Sequence, residues 1–282
     1  MIETSPLPIA HACRTLGVSR QGFYKWKQQE PAESKDIEIL AAIQEIAAEF
    51  PKYGYRRVTH ALRRDDHVVN KKKVHRLMKE NGLLVRRKKS KPITTQSHHG
   101  LPKYHNLTKG IVLTGINQIW VSDITYIWLL CEFVYLALVM DLFSRRCIGW
   151  ALSRNPDTQL TLDALNRAIA LRGAENVKGC IHHSDQGVQY CSHRFVQRVV
   201  EVGMRSSMGE VGNSYENAYA ESVIKTIKYE EVYMNEYETI EDVYCNIERF
   251  IEEVYNKKRL HSSIGYKPPL EFEKEALNSS GA

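Results

Sequence analysis

The chain has 282 residues, 43% of them apolar, with a formal net charge of +6. That is enough apolar material for one large domain or two smaller ones. No apolar run reaches the ~18 residues of a membrane span, and no charged-then-apolar secretory leader opens the chain. The six cysteines are scattered without a CxxC pair, so neither a disulfide framework nor a zinc site is indicated and a reducing cytoplasm fits.

The net charge hides an asymmetry. Residues 1–109 hold 22 Lys and Arg against 10 Asp and Glu, whereas residues 110–282 hold 17 against 23. A basic front half joined to an acidic back half points to a polyanion-binding module and a separate domain with its own task.

The first elements are a short helix over Ile9–Leu16, a turn at Gly17-Val18 and a second helix capped by Ser19. This is a helix-turn-helix-like pattern, with Leu16, Val18, Phe23, Tyr24 and Trp26 as its expected core. A helical hairpin that only packs on the rest of the protein is the competing reading. A helix follows near Lys35–Phe50, with Ile37, Leu40, Ile43, Ile46, Ala47 and Phe50 at helical spacing. Arg56–Arg64 reads as another helix. Asn70 caps a third over Lys71–Glu80, closed by Asn81-Gly82, with Val74, Leu77 and Met78 inward. Lys71, Lys72, Lys73, Arg76 and Lys79 are expected to face out, and Arg86, Arg87, Lys88 and Lys89 follow. From Asn70 to Lys91 there are ten cations and one acid. A one-signed face of this kind suits phosphate contacts, with salt-dependent affinity and little sequence readout.

Residues 92–117 read as a linker, with Gly, Pro and polar residues in weak periodicity. A β-rich texture begins at Gln118. Three strands, 118–129, 133–142 and 145–152, read as an antiparallel meander with a tight turn at Phe143-Ser144. Asp123 lies inside the first, and an acid within an apolar strand is costly to bury unless paired or metal-bound. A helix over Asp157–Leu171 leads to a short strand, Gly179–His183, before Asp185, at the strand end where open α/β sheets place ligands. A helix over Ser192–Val202, a strand over Met204–Ser206 and a glycine-serine loop over Ser207–Ser214 follow. The last element read is a helix from near Asn217 to Glu231. Its Asn217, Glu221, Lys225 and Lys228 share a face while Ala218, Val223 and Ile227 turn to a core. One carboxylate followed by two cations suits a metal ion beside a phosphate. A Glu–Lys pair on a solvated helix is the plain alternative.

The order β-β-β-α-β-α-β-α, with one acid in the first strand, one after the fourth and one on a late helix, predicts an α/β, ribonuclease-H-like catalytic core. Small all-α helix-turn-helix DNA-binding domains precede it. The expected segments are a helix-turn-helix-like 1–32, a basic helical domain over 33–91, a linker over 92–117, the core over 118–275 and a disordered tail over 276–282.

Four stretches, WVSDITYI, HSDQGVQY, GNSYENAYAES with Lys228 seven residues after Glu221, and YNKKRLHSSIGYKPPLEF, resemble the signature blocks of the insertion-sequence-three (IS-three) family of transposases. That family shares the integrase-type catalytic core of retroviruses. Asp185 and Glu221 have 35 residues between them, the spacing the family shows. Upstream, YGYRRVTHAL and NKKKVHRLMKENGLLVRRK resemble its basic helical domain, so the likeness covers roughly residues 8–275 in order.

The resemblance implies that Asp123, Asp185 and Glu221 are the catalytic, metal-holding carboxylates and that Lys228 positions DNA beside them. Lys225, Asn217, Arg56, Arg57, Lys71, Lys72, Lys73, Arg76, Arg86, Arg87 and Lys88 are further candidate DNA contacts. His183, Ser184 and Gln189 fall in the blocks without a role. Tyr255, Asn256, Arg259 and His261 fit either DNA contact or the packing of a last helix.

Oxygen-only ligands suit Mg²⁺, with Mn²⁺ as a substitute, and two such ions suit in-line phosphoryl displacement. The expected activity is a DNA transposase that cuts and joins strands at the ends of an insertion sequence. A nuclease of the same fold that does not join and a non-catalytic DNA-binding regulator are the alternatives. Expected partners are double-stranded element ends and target DNA, further copies of the chain on DNA, and an upstream-frame product. Members commonly work as a longer frameshifted fusion carrying another helix-turn-helix and a leucine zipper. No heptad pattern opens this chain, which fits the downstream reading-frame product, in a bacterial, nucleoid-associated location and with no membrane partner.

Overall fold

The computed structural model describes residues 8–27, 32–85, 101–129, 132–209 and 217–280. Contacts divide the chain into two compact units, Met1–Arg86 and Arg87–Ala282. No helix of the described residues is long and apolar enough to cross a membrane.

The first unit is all helical: α1 (Ile9–Thr15), α2 (Arg20–Lys27), α3 (Ala32–Glu49), α4 (Tyr55–Arg64) and α5 (Lys71–Glu80). Gly17, at φ +65°, makes the left-handed turn between α1 and α2 that a side chain would resist. The expected core of this hairpin is corrected. Ala12, Cys13 and Phe23 are buried, whereas Leu16, Val18 and Tyr24 are exposed. Helix α1 stops at Thr15, so Leu16 and Val18 fall in the turn and not on its inner face. The side chain of Trp26 lies outside the described residues. In α3 the buried positions are Ile39 and Ile43, and Ile37 faces solvent. Helix α5 forms as its spacing dictates. Asn70 accepts the Lys72 amide at 2.9 Å, and Val74, Leu77 and Met78 are buried.

The second unit is built on a five-stranded sheet of β1 (Ile119–Trp128), β2 (Phe133–Asp141), β3 (Cys147–Ser153), β4 (Ile181–Ser184) and β5 (Arg205–Met208), in the order β3-β2-β1-β4-β5. Strands β1, β2 and β3 are antiparallel to one another, while β4 runs parallel to β1 and β5 parallel to β4. Helices α6 (Thr158–Arg172), α7 (Val188–Cys191), α8 (His193–Glu201), α9 (Ala218–Glu230), α10 (Ile240–Arg249) and α11 (Pro269–Ser280) complete it, and α10 continues as a π-helical turn over Phe250–Tyr255.

Strand β1 is central and buried on both faces. Ile119, Val121 and Ile127 join one apolar cluster with Ala220, Val223, Ile224 and Ile227 of α9. Trp120 and Ile124 turn the other way, toward the cluster that holds Leu165, Phe195 and Val199 of α6 and α8. The period-2 alternation of a strand thus serves two cores, and helices cover both faces. Gly149 of β3 lets α6 come close: a Cβ there would overlap the Ala164 carbonyl oxygen and lie 2.8 Å from Ala168 Cβ. This mixed sheet with helices on both faces is the ribonuclease-H-like arrangement.

Several boundaries move. The stretch 101–117, expected to be linker, packs Leu101 and Tyr104 on one cluster and Leu107 and Leu113 on the other. Its apolar residues are few but each finds the sheet. Strand β5 runs on through Ser207 and Met208, where a loop was expected. Helix α11 reaches Ser280, so residues 276–280 are helical and not a disordered tail. Glu273 in its middle is held by Arg146, Arg172 and the Ser144 hydroxyl, which fixes the helix to the β2–β3 turn.

Candidate active site

The parallel register of β1 and β4 pairs Trp120 with His182 and Val121 with His183. Two residues further along each strand lie Asp123 and Asp185. Residues two apart share a face, and adjacent strands are about 4.8 Å apart. The same offset brings Asp185, just past the end of β4, near Asp123, close enough for its charge to act on the Asp123 carboxyl. Asp185 is fixed locally, since its Oδ1 accepts the Gly187 amide at 3.0 Å. A Cβ on Gly187 would stand 3.0 Å from that same oxygen, so a side chain there would press on the carboxylate.

Asp123 is part-buried and accepts the amide of Ile124 at 2.8 Å. Its pKa is pushed up to about 8, first by burial, then by the like charges of Asp185 and, more weakly, Glu221. The Ile124 amide and the Lys228 charge work against that rise. The three acids therefore share one electrostatic site. Glu221, in the first turn of α9, is exposed. Among the described residues, no three His, Cys, Asp or Glu side chains stand close enough to grip a metal ion together. The aspartates form the fixed part of the site, and Glu221 stands at its edge.

What sets Glu221 there is its helix. Ala220, Val223, Ile224 and Ile227 bury its inner face, so Ala220 takes the place expected for Ala218. Asn217, just before the helix, is buried and donates from Nδ2 to the Ser122 carbonyl at 3.3 Å. At the other end of α9, Glu230 accepts from Arg259 Nε at 2.6 Å and Nη2 at 2.8 Å. Lys228 is half-buried, and its Nζ lies 4.1 Å from the centre of the Tyr126 ring. Burial lowers the lysine pKa, and Asp123 acts to raise it. Lys225 is exposed. The loop residues 210–216 before α9 lie outside the described residues, so the ordering expected of that loop is not tested.

A buried brace lies behind the aspartates. Ser122 Oγ and His182 Nε2 are 2.8 Å apart, and His183 Nδ1 and Ser207 Oγ are 2.9 Å apart. Burial and the neighbouring His183 bring the His182 pKa down to about 3, so its ring is neutral. Tyr190 is buried with its hydroxyl unpartnered, and burial and the charges of Asp123 and Asp185 push its pKa well up. Sequence reasoning found neither this brace nor the Tyr126 seat. The only signal was that Ser122, Tyr126, His183 and Tyr190 lie within the SDITYI and HSDQGVQY blocks; His182 and Ser207 lie in neither.

The remaining motif residues are structural here. Gln189 Nε2 donates to the Pro156 carbonyl at 2.6 Å, and Ser184 Oγ to the Asp185 carbonyl at 3.0 Å. Asn256 bonds both the amide and the carbonyl of Cys147, at 3.0 and 2.9 Å. Tyr255 and His261 are buried with their rings edge to face. The packing reading of these residues is the one their contacts support.

In the first unit, Lys73 and Arg76 each meet Asp36 at 2.6 Å, and Arg76 also meets Glu80 at 3.1 Å. These two cations, expected to face out freely, are joined to acids of their own unit. Arg56 and Arg57 lie over the rings of Tyr55 and Tyr53 at 5.8 and 5.5 Å. Lys71 and Lys72 are exposed. Arg86, Arg87 and Lys88 lie outside the described residues.

Comparison with known proteins matches this architecture. Two integrase core domain families match residues 114–214 and 202–269, and an HTH-like domain family matches residues 33–91. The "Insertion element IS600 uncharacterized 31 kDa protein" of Shigella sonnei is 33% identical over 264 residues, covering 92% of this chain and 96% of that protein. The "Transposase InsF for insertion sequence IS3A" of Escherichia coli (strain K12) is 34% identical over 275 residues, 94% of this chain and 93% of that protein. A "Putative transposase for insertion sequence element IS986/IS6110" of Mycobacterium tuberculosis is 34% identical over 266 residues, 92% of this chain and 95% of that protein. With an integrase-type core, an HTH-like unit before it and end-to-end similarity to these proteins, the chain belongs to the IS3 family of insertion-sequence transposases.

Proposed function

We propose that Asp123, Asp185 and Glu221 are the catalytic carboxylates of strand cleavage and strand transfer at the ends of an insertion sequence. The observation that carries this reading is the β1–β4 register, which sets Asp185 beside Asp123, with Glu221 near enough to act on the Asp123 carboxyl. Two carboxyls that repel each other at neutral pH, offering only oxygen donors, fit divalent cations such as Mg²⁺ or Mn²⁺. A pair of ions held there would activate both the attacking and the leaving oxygen of an in-line displacement at phosphorus.

The chain's own groups do the rest. Asp123, within β1, and Asp185, just past the end of β4, hold the fixed ligand positions. Glu221, in the first turn of α9, completes the set from the edge of the site when DNA is bound. Lys228, seated on Tyr126 beside Asp123, neutralises a phosphate next to the scissile one and orients the strand. Lys225, exposed one turn before it, contacts the same backbone, and Asn217 holds the helix that carries all three. Water attacks first and frees a 3′-hydroxyl; that hydroxyl then attacks a second phosphodiester and joins the strands. No covalent protein intermediate is required, so no serine or tyrosine acts as nucleophile. In the first unit Arg56, Arg57, Lys71, Lys72 and the basic stretch with Arg86, Arg87 and Lys88 hold the duplex through its phosphates, and Lys73 and Arg76 contribute less while Asp36 engages them. Joining two ends requires at least two copies of the chain on DNA. We also assign the chain to the bacterial cytoplasm, as the downstream-frame product that can act with an upstream partner.

The test is incubation of the purified full chain with labelled element ends, with and without Mg²⁺, reading cleavage and joining separately. Asp123→Asn, Asp185→Asn and Glu221→Gln are each expected to abolish both steps while binding persists. A variant that keeps full activity removes its residue from the site. Cutting by the parent without joining would favour a nuclease.

A further inference from the structure

Around Lys228 the second unit carries an aromatic cluster that the cleavage chemistry does not use. Trp128 and Phe133, the facing last and first residues of β1 and β2, are 54% and 44% exposed. Their rings meet at 4.5 Å, and Phe133 meets Tyr126 edge to face at 5.2 Å. Lys228 rests on the Tyr126 ring. Tyr229 of α9 meets Tyr233, in the short 3-10 turn Val232–Met234 that follows the helix, at 5.3 Å, and Tyr233 is 59% exposed. Tyr229 directly follows Lys228 in the chain, so the cation resting on Tyr126 joins the two groups of rings. Single exposed apolar residues need no explanation, but a contiguous group with a cation at its centre marks a binding surface. The one acid at the hairpin, Glu132, is paired with Arg154 at 3.2 Å, so it leaves no unbalanced negative charge against a nucleic acid.

We propose that Tyr126, Trp128, Phe133, Tyr229 and Tyr233 form a stacking platform for unpaired bases of the DNA strand that runs from the carboxylate site, with Lys228 taking the intervening phosphate. The proposal rests on the transposase reading above. Its geometry follows from the strand. Tyr126 and Trp128 lie three and five residues beyond Asp123, roughly 10 and 17 Å at about 3.3 Å per residue. At about 3.4 Å per stacked nucleotide, those rings address bases about three to five steps from the scissile phosphate. Aromatic rings bind any base by its flat face, without sequence preference. A paired duplex hides those faces in its own stack. The platform therefore selects strands that are frayed or flipped out at the element end, and holds them open beside the carboxylates.

The experiment is fluorescence anisotropy of the full-length chain, in chelator so that nothing is cut, with a thymidine single strand and with a blunt duplex as probes. The double variant Trp128→Ala/Tyr233→Ala is expected to bind the single strand at least about tenfold more weakly, with duplex affinity kept within about twofold. Trp128→Phe/Tyr233→Phe, which keeps two flat rings, is expected to bind the single strand like the parent. Both positions are exposed, and circular dichroism checks that the variants fold. Single-strand affinity that is unchanged in the alanine variant overturns the platform alone, as does an equal loss on both probes. If the variant instead loses self-association with single-strand affinity intact, the patch is a contact between copies and the proposal falls. A parent chain that binds neither probe overturns the platform together with the transposase reading.

Discussion

The side-chain amide of Asn217 donates to the backbone carbonyl of Ser122 at 3.3 Å, joining the start of helix α9 to the residue before Asp123. Through this bond, residues 95 apart in sequence fix where Glu221 can stand. Asn217 is 7% exposed, and its Oδ1 has no partner among the described residues. Asn217→Ala should therefore lower the cleavage rate by at least about tenfold, which is only ~1.4 kcal/mol of misplacement. Global stability should fall by only about 1 kcal/mol, the net worth of one hydrogen bond. Single-turnover cleavage and thermal unfolding measured together decide it, and parental cleavage would end the positioning role.

The raised pKa of Asp123 gives stability a pH dependence with a definite sign. In the unfolded chain this carboxyl ionises near 3.8, and in the folded, metal-free protein near 8. Between those values the folded state binds more protons, so the unfolding free energy falls as pH rises. The penalty is absent below about pH 4 and complete above about pH 8. Asp123→Asn should flatten that slope and make the metal-free protein more stable than the parent at pH 8, by at least about 1 kcal/mol. Unfolding midpoints in urea at pH 5 and pH 8 measure it; parallel shifts of parent and variant would contradict it.

Glu273 behaves in the opposite sense. Burial acts to raise its pKa, but Arg172, Ser144 and Arg146 outweigh burial and hold it below the usual carboxylate range. Its contribution is present at neutral pH and lost as pH falls through that lowered value. Glu273→Gln leaves two part-buried guanidinium groups without their acid, and should cost about 3 kcal/mol. Because α11 is anchored by this group, proteolysis near the C-terminus should quicken first. An unaltered melting temperature with an intact α11 would count against the anchor.

Gly149→Ala should destabilise the second unit by about 3 kcal/mol or more, since the new methyl group overlaps the Ala164 carbonyl and lies 2.9 Å from the Ala168 amide nitrogen. Both are helix backbone atoms and cannot swing aside. A melting temperature unchanged by this substitution would mean that α6 sits further from β3 than described.

The sequence by itself determined most of the elements and, through its resemblance, proposed the three acids. Alternating and helical periods are local properties, so β1 through β3, α5, α6 and α9 could be read in order, and Asp123 stood out as a charge in an apolar strand. It could not settle which helical positions faced inward in α1 to α3, because Leu16, Val18 and Ile37 are as apolar as the residues that are buried. Nor could it see that Lys73 and Arg76 meet Asp36, since that pairing crosses two helices. Tertiary structure alone decided that Asp185 comes to rest beside Asp123. Strand register between distant segments is set by side-chain packing on both faces of the sheet, not by any spacing along the chain. The same packing put Lys228 on Tyr126 and gathered exposed rings beyond it, a surface assembled from two strands and a helix that have no common signature in sequence.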